Sequence, residues 1–120
     1  MGHTLAKVKL YSPWDQSKTL DLDLVVDTGS TYTWVKRARL SSLGLKPTGR
    51  RVFRTTEGKL VEREIGEVLI ECEGERATTI VVFAEEGDAE VLGVYALEGL
   101  GLEVDPTTKE LRKSEAILAL

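Results

Sequence analysis

Val25-Val26-Asp27-Thr28-Gly29-Ser30-Thr31 is the stretch on which the fold of this chain turns. Ahead of it, Leu20, Leu22, Leu24 and Val26 alternate with Asp21, Asp23 and Asp27, the period-2 pattern of a strand with one buried face. Thr28-Gly29-Ser30 breaks that pattern with a tight turn, which leaves Asp27 at the end of a strand. A sheet placed this way holds the acid rigidly while its oxygens face a cleft, within reach of the Gly29 and Ser30 amides and the Ser30 hydroxyl. The plain alternative is an Asx-type turn after a strand, the commonest use of such residues.

Hydrophobic-hydrophobic-Asp-Thr-Gly-Ser resembles the signature of the aspartic proteases. Thr31-Tyr32-Thr33-Trp34-Val35 extends the likeness to the pepsin form, in which a Trp-Val pair follows shortly after the Gly-Ser. Pepsin-like enzymes need two such halves in one chain. With 120 residues, one Asp-Thr-Gly and no internal repeat, this sequence bounds one domain, residues 1-120. The resemblance is therefore to the retropepsin-like, homodimeric group. It implies an all-β, mostly antiparallel acid protease barrel with one or two short helices.

A second motif supports the first. Val91-Leu92-Gly93, followed by Val94 to Gly101 as a short helix, is similar to the segment that in this family threads past the Asp-Thr-Gly loop. Gly93 there lets two backbones approach closely, while Gly99 and Gly101 read as helix stops. Arg51 to Ile65 reads as a hairpin with Glu57-Gly58 at its tip. By resemblance it is the flap, with Thr56, Glu57, Gly58 and Lys59 closing over substrate. A single tip glycine and a charged flank depart from the retroviral pattern and imply a stiffer, more polar flap.

The other elements follow from pattern. Leu5 to Tyr11 and Thr19 to Val26 form a long hairpin leading into Asp27, and Thr31 to Val35 returns as a strand. Lys36 to Leu45 holds a short helix closed by Gly44. Glu67 to Glu73 and Thr78 to Ala84 are strands joined at Glu73-Gly74-Glu75, and Ile80 to Phe83, apolar on both faces, is central. Leu102 to Val104 and Glu110 to Arg112 flank a turn. The tail Ala116 to Leu120 is an unusual apolar end for a charged chain. By resemblance it joins a terminal sheet shared between protomers, and it could equally be an ordinary core-packing end.

Composition removes several chemistries. The lone histidine, His3, lies near a terminus, so neither a Ser/His nor a Cys/His mechanism has a base. One histidine and one cysteine far apart make no zinc site, and no phosphate-binding glycine motif occurs, so neither metal nor cofactor is expected. Cys72 shares strand parity with Val68 and Ile70 and reads as a buried inert thiol. No apolar run reaches membrane-spanning length and no signal peptide opens the sequence, which predicts a soluble, cytoplasmic protein without a membrane partner. The absence of Asn and scarcity of Gln, Cys and Met resemble a thermophilic bias.

Charge is unevenly placed. The chain carries a net charge of −4, yet Lys36, Arg37, Arg39, Lys46, Arg50, Arg51 and Arg54 fall in one stretch with no acidic residue. One reading is a basic wall beside the cleft that attracts acidic peptides or nucleic acid. The other is a solvated face balanced by acids between Glu57 and Glu90. Because no aromatic residues are interleaved in a stacking pattern, the second is favoured and no nucleic acid is expected.

The resemblance assigns roles. Asp27 is the catalytic acid, one from each protomer of a homodimer. Thr28 buttresses the pair across the dimer, Gly29 keeps the approach clear, Ser30 sits beside the outer carboxylate oxygen, and Leu92 and Gly93 pack on the loop. The implied activity is aspartic endopeptidase hydrolysis of a polypeptide substrate. The alternative from another class is a noncatalytic dimeric β module that holds peptides in the equivalent cleft.

Overall fold

The alternation ahead of Asp27 is matched strand for strand by its partner. In the structure, a computed structural model describing residues 3–119, β1 (Leu5–Tyr11) runs antiparallel to β2 (Thr19–Val26). Their register sets Ala6 on Leu24, Val8 on Leu22 and Leu10 on Leu20, with Lys7 opposite Asp23 and Lys9 opposite Asp21. One face is thus apolar and the other carries opposite-charge cross-strand pairs, so a one-residue slip is penalised on both faces. Met1, Gly2 and Leu120, the last of these closing the apolar tail, lie outside the described residues.

The chain continues through β3 (Thr33–Lys36), α1 (Arg37–Ser42), β4 (Gly49–Arg54), β5 (Leu60–Cys72) and β6 (Glu75–Ala84). It ends with β7 (Val91–Leu92), α2 (Val94–Leu100), β8 (Leu102–Val104) and β9 (Leu111–Lys113). Seven strands form one sheet in the order β1-β2-β7-β3-β6-β5-β4, and β1 also pairs with β5, so hydrogen bonding returns to the first strand around the core. Pairing is mostly antiparallel. Two pairings are parallel, β2 with β7 and β3 with β6, and it is β2–β7, together with the antiparallel β3–β7 bridge, that puts the short β7 beside Asp27. The protein is a compact, mostly β fold, and β8 and β9 make a separate two-stranded sheet.

One cluster of buried side chains fills the interior, with Leu10, Leu24, Val35, Leu40, Val68, Ile70, Phe83 and Leu92 among its members. β6 lies between β3 and β5, which explains why Val81, Val82 and Phe83 are all buried. α1 buries Leu40 and is capped at Leu43, after which Gly44 turns the chain away at φ +77°, a conformation that favours glycine.

Several boundaries differ from the sequence expectation. β5 runs unbroken for 13 residues through Gly66, where a break before Glu67 was expected. A Cβ on Gly66 would sit 3.0 Å from the Phe83 ring and 3.3 Å from the Lys46 carbonyl oxygen, so this glycine serves close packing. β3 begins at Thr33, two residues late, and β6 begins at Glu75 because Glu73-Gly74 is a two-residue hairpin turn with both φ positive. Gly99, expected as a helix stop, lies within α2; Gly101, at φ +69°, ends it.

The apolar tail is not packed into the core: Ile117 is 96% exposed and Leu118 79%. Among the described residues, no helix is long and apolar enough to cross a membrane.

Cys72 is buried on β5, and burial pushes its thiol up to about 11, with Glu73 adding to the shift. The neutral thiol is therefore the form the fold holds. Its stability contribution is complete below the thiol's ordinary value of 9.0 and is lost as pH rises through about 11. In the native protein at pH 8, Cys72 should resist a thiol reagent that reacts within minutes once denaturant is added. Chemical denaturation should report a loss on the order of 2 kcal/mol between pH 9 and 11 that a Cys72→Ala variant lacks. Rapid native labelling at pH 8 would contradict this burial.

Candidate active site

Asp27 stands one residue beyond β2, and the backbone around it is held from both sides. Its amide donates to the Leu92 carbonyl at 2.9 Å, and its own carbonyl accepts from the Ser30 amide at 3.1 Å, closing the turn. The Gly29 amide donates to the carboxylate Oδ1 at 2.9 Å. A Cβ on Gly29 would lie 3.2 Å from that same oxygen, so glycine leaves the carboxylate unhindered. The carboxylate itself is exposed.

Ser30 does a different job from the one expected. Its amide closes the turn on the Asp27 main chain, and its hydroxyl donates to the Tyr32 carbonyl at 2.8 Å, not to the acid. This accounts for the late start of β3. The carbonyls of Ser30 and Thr31 accept from the Val94 and Tyr95 amides, each at 2.9 Å, so residues 30–32 are committed to the start of α2. Those two amides belong to the first turn of the helix, where donors lack an intrahelical partner.

Leu92 and Gly93 fall where the second motif placed them. Gly93 is buried, and its amide donates to the buried Thr33 hydroxyl at 3.1 Å. A Cβ there would overlap the Tyr32 carbonyl and come within 2.9 Å of the Ser30 oxygen. With φ −94° and ψ 174° the backbone is ordinary, so the need for glycine is purely steric. β7 and α2 thus lock the Asp27 loop by backbone contacts that no side chain could replace.

Asp27 lies at one side of a cleft of about 800 Å³ whose opposite side is the β4–β5 hairpin. Thr56 lines the cleft with Thr55 and Phe53; Glu57, Gly58 and Lys59, the rest of the expected flap tip, are exposed and do not line it in the single chain. The tip is a tight turn, with Gly58 at φ +85° and its amide on the Thr55 carbonyl at 2.9 Å. Thr28 is exposed, and its hydroxyl has no partner among the described residues.

The walls hold residues the sequence did not single out as a group. Trp34 and Phe53 meet edge to face at 5.0 Å between ring centroids and Tyr32 meets Phe53 at 6.2 Å, while Tyr95, outside the cleft lining, packs on Tyr32 at 5.7 Å. They come from β3, β4, α2 and the Asp27 loop, so no local pattern could have joined them.

The cleft contains a second carboxylate, Asp88. Arg63 grips it with two hydrogen bonds, 2.7 Å from Nε and 3.0 Å from Nη2. This bidentate guanidinium holds the Asp88 carboxyl below the usual carboxylate range against the opposing effect of burial, and the Glu85 amide adds a further bond. Among the described residues no group of three or more His, Cys, Asp or Glu is arranged to hold a metal.

Three of the seven basic side chains in the Lys36–Arg54 stretch are neutralised locally. Arg37 pairs with Glu64 and Glu85, Arg39 with Glu90, and Arg50 with Glu62, at 2.6 to 3.3 Å. These acids come from the segment expected to balance it. Compared with family models and with curated proteins, the chain matches none.

Proposed function

We propose that the protein is a homodimeric, retropepsin-like aspartic endopeptidase, its barrel completed around a cleft shared by two protomers. The observation that carries this is an exposed Asp27 carboxylate, fixed by Gly29 and by the Leu92-Gly93 crossing, in a peptide-sized cleft that it lines together with the β4–β5 hairpin. Acid-base hydrolysis of a peptide needs a second carboxyl group to donate where the first accepts. Asp88 cannot supply it, because Arg63 keeps it ionised and occupies both its oxygens. The partner acid is then Asp27 of a second copy.

In that dimer the two acids share one proton, since close like charges do not both ionise readily. The ionised oxygen takes a proton from a water molecule, whose oxygen attacks the substrate carbonyl. The protonated partner donates to the developing oxyanion, and the tetrahedral intermediate collapses as the amine leaves with a proton returned from the pair. In the proposed dimer Thr28, exposed in the single chain, takes the role the family resemblance implies and bonds across the two-fold axis, and Gly29 leaves the carboxylate face open. No metal or organic cofactor takes part.

The test is incubation with an unfolded polypeptide near pH 5, with and without a statine-containing peptide, alongside sedimentation over a range of protein concentrations. Cleavage blocked by the statine peptide and tracking the dimer is expected. A noncatalytic β module would bind the peptide and leave the polypeptide intact.

A further inference from the structure

Of the eight arginines in the chain, five are in ion pairs: Arg37, Arg39, Arg50, Arg63 and Arg112. Of the three that have no carboxylate partner among the described residues, Arg51, Arg54 and Arg76, two line the Asp27 cleft. Arg51 lies over the Tyr32 ring, its guanidinium carbon 5.3 Å from the centroid, and donates to the Tyr32 hydroxyl. Arg54 donates to the Gly58 carbonyl at 3.2 Å within its own hairpin. Neither bond neutralises a charge.

The register makes this costly. Arg51 of β4 sits directly opposite Arg63 of β5, and like charges across a strand pair are destabilising. Asp88 relieves Arg63 and leaves Arg51 unrelieved. The cleft therefore combines two uncompensated guanidiniums with only one free carboxylate, Asp27, in a chain whose overall charge is −4. Next to Arg51, Trp34 and Phe53 offer an aromatic wall suited to a large apolar side chain.

We propose that Arg51, assisted by Arg54, makes this cleft select peptide segments in which an acidic side chain lies beside an aromatic or large aliphatic one. The guanidinium that stacks on Tyr32 is held in one orientation, so it presents its remaining N–H groups to an incoming carboxylate with little further loss of freedom. This rests on the cleft being a peptide site, as under the proposed function, and is independent of whether Asp27 hydrolyses anything.

Two extended peptides identical except for Glu or Gln one to three positions from a Phe-Leu pair test it. Binding is read by fluorescence anisotropy with an Asp27→Asn variant, and cleavage with the wild type. The Glu peptide should be favoured about tenfold at low salt, and the advantage should shrink as salt rises. In Arg51→Gln the Glu/Gln ratio should fall to about one, Arg51→Lys should keep part of it, and Arg54→Gln should lower it by a smaller factor. Glu preference in binding without any cleavage sinks the protease reading and leaves this one standing. Cleavage with equal handling of the two peptides does the reverse. A ratio left intact by both arginine substitutions, or a short oligonucleotide that displaces the Glu peptide at equal concentration, overturns the proposal.

Discussion

Replacing Asp27 by Asn is expected to lower peptide hydrolysis by at least about a thousandfold while leaving the protein folded. In a homodimer one substitution removes both acids at once, so neither proton acceptor nor proton donor remains. The loss should fall on kcat, because the amide has nearly the shape of the acid and the cleft walls are untouched. Folding should survive for a local reason: Asp27 is exposed, and the Asn side-chain oxygen can still accept the Gly29 amide bond. The wild-type rate should be bell-shaped in pH, vanishing on the acid side when both carboxyls are protonated and on the alkaline side when both are ionised. Persistent hydrolysis in Asp27→Asn, or a wild-type rate that climbs steadily through pH 8, would return Asp27-Thr28-Gly29 to an ordinary turn.

The features legible in the sequence are those set by neighbours along the chain. The β1–β2 hairpin is one, because alternation of Leu with Asp on one strand and of apolar residues with Lys on the other defines both faces. Gly58 and Gly101 are others, since each marks a turn or cap that needs positive φ. The continuity of β5 through Gly66 is not legible locally, because what requires glycine there is the Phe83 ring, 17 positions away. The Ser30 bonding is likewise not legible in the motif: its hydroxyl donates to the Tyr32 carbonyl and its carbonyl accepts from the Val94 amide of α2, 64 positions on.

The cleft shows the same division. Asp27 and Gly29 carry their chemistry in a four-residue motif, whereas the aromatic wall brings Tyr32 and Trp34 together with Phe53, 21 positions beyond Tyr32, on another strand. Reading the arginines as one block was wrong in detail. Strand pairing and loop position separate Arg37, Arg39 and Arg50, which meet acids, from Arg51 and Arg54, which face the cleft.

Gly93→Ala should be among the most damaging single-methyl changes available in this chain. The added Cβ has no strain of its own to bear, since φ −94° suits alanine, but it overlaps the Tyr32 carbonyl and comes within 2.9 Å of the Ser30 oxygen. Both are backbone atoms in hydrogen-bonded segments, so neither can rotate away as a side chain would. Relief requires pushing β7 off the Asp27 loop, which stretches the Asp27 amide bond to Leu92, the Gly93 amide bond to the buried Thr33 hydroxyl and the Val94 amide bond to Ser30. A cost of roughly 3 kcal/mol or more follows, against 1–3 for ordinary overpacking. The melting temperature should fall by about 10 °C or more. Gly99→Ala is the control six residues on. It lies inside α2, its Cβ would meet only the Ala77 Cβ at an ordinary 3.6 Å, and alanine is the better helix former, so this variant should melt at or slightly above the wild type. If the two variants melt together, the close crossing at Gly93 is wrong, and with it the account of what holds Asp27 in place.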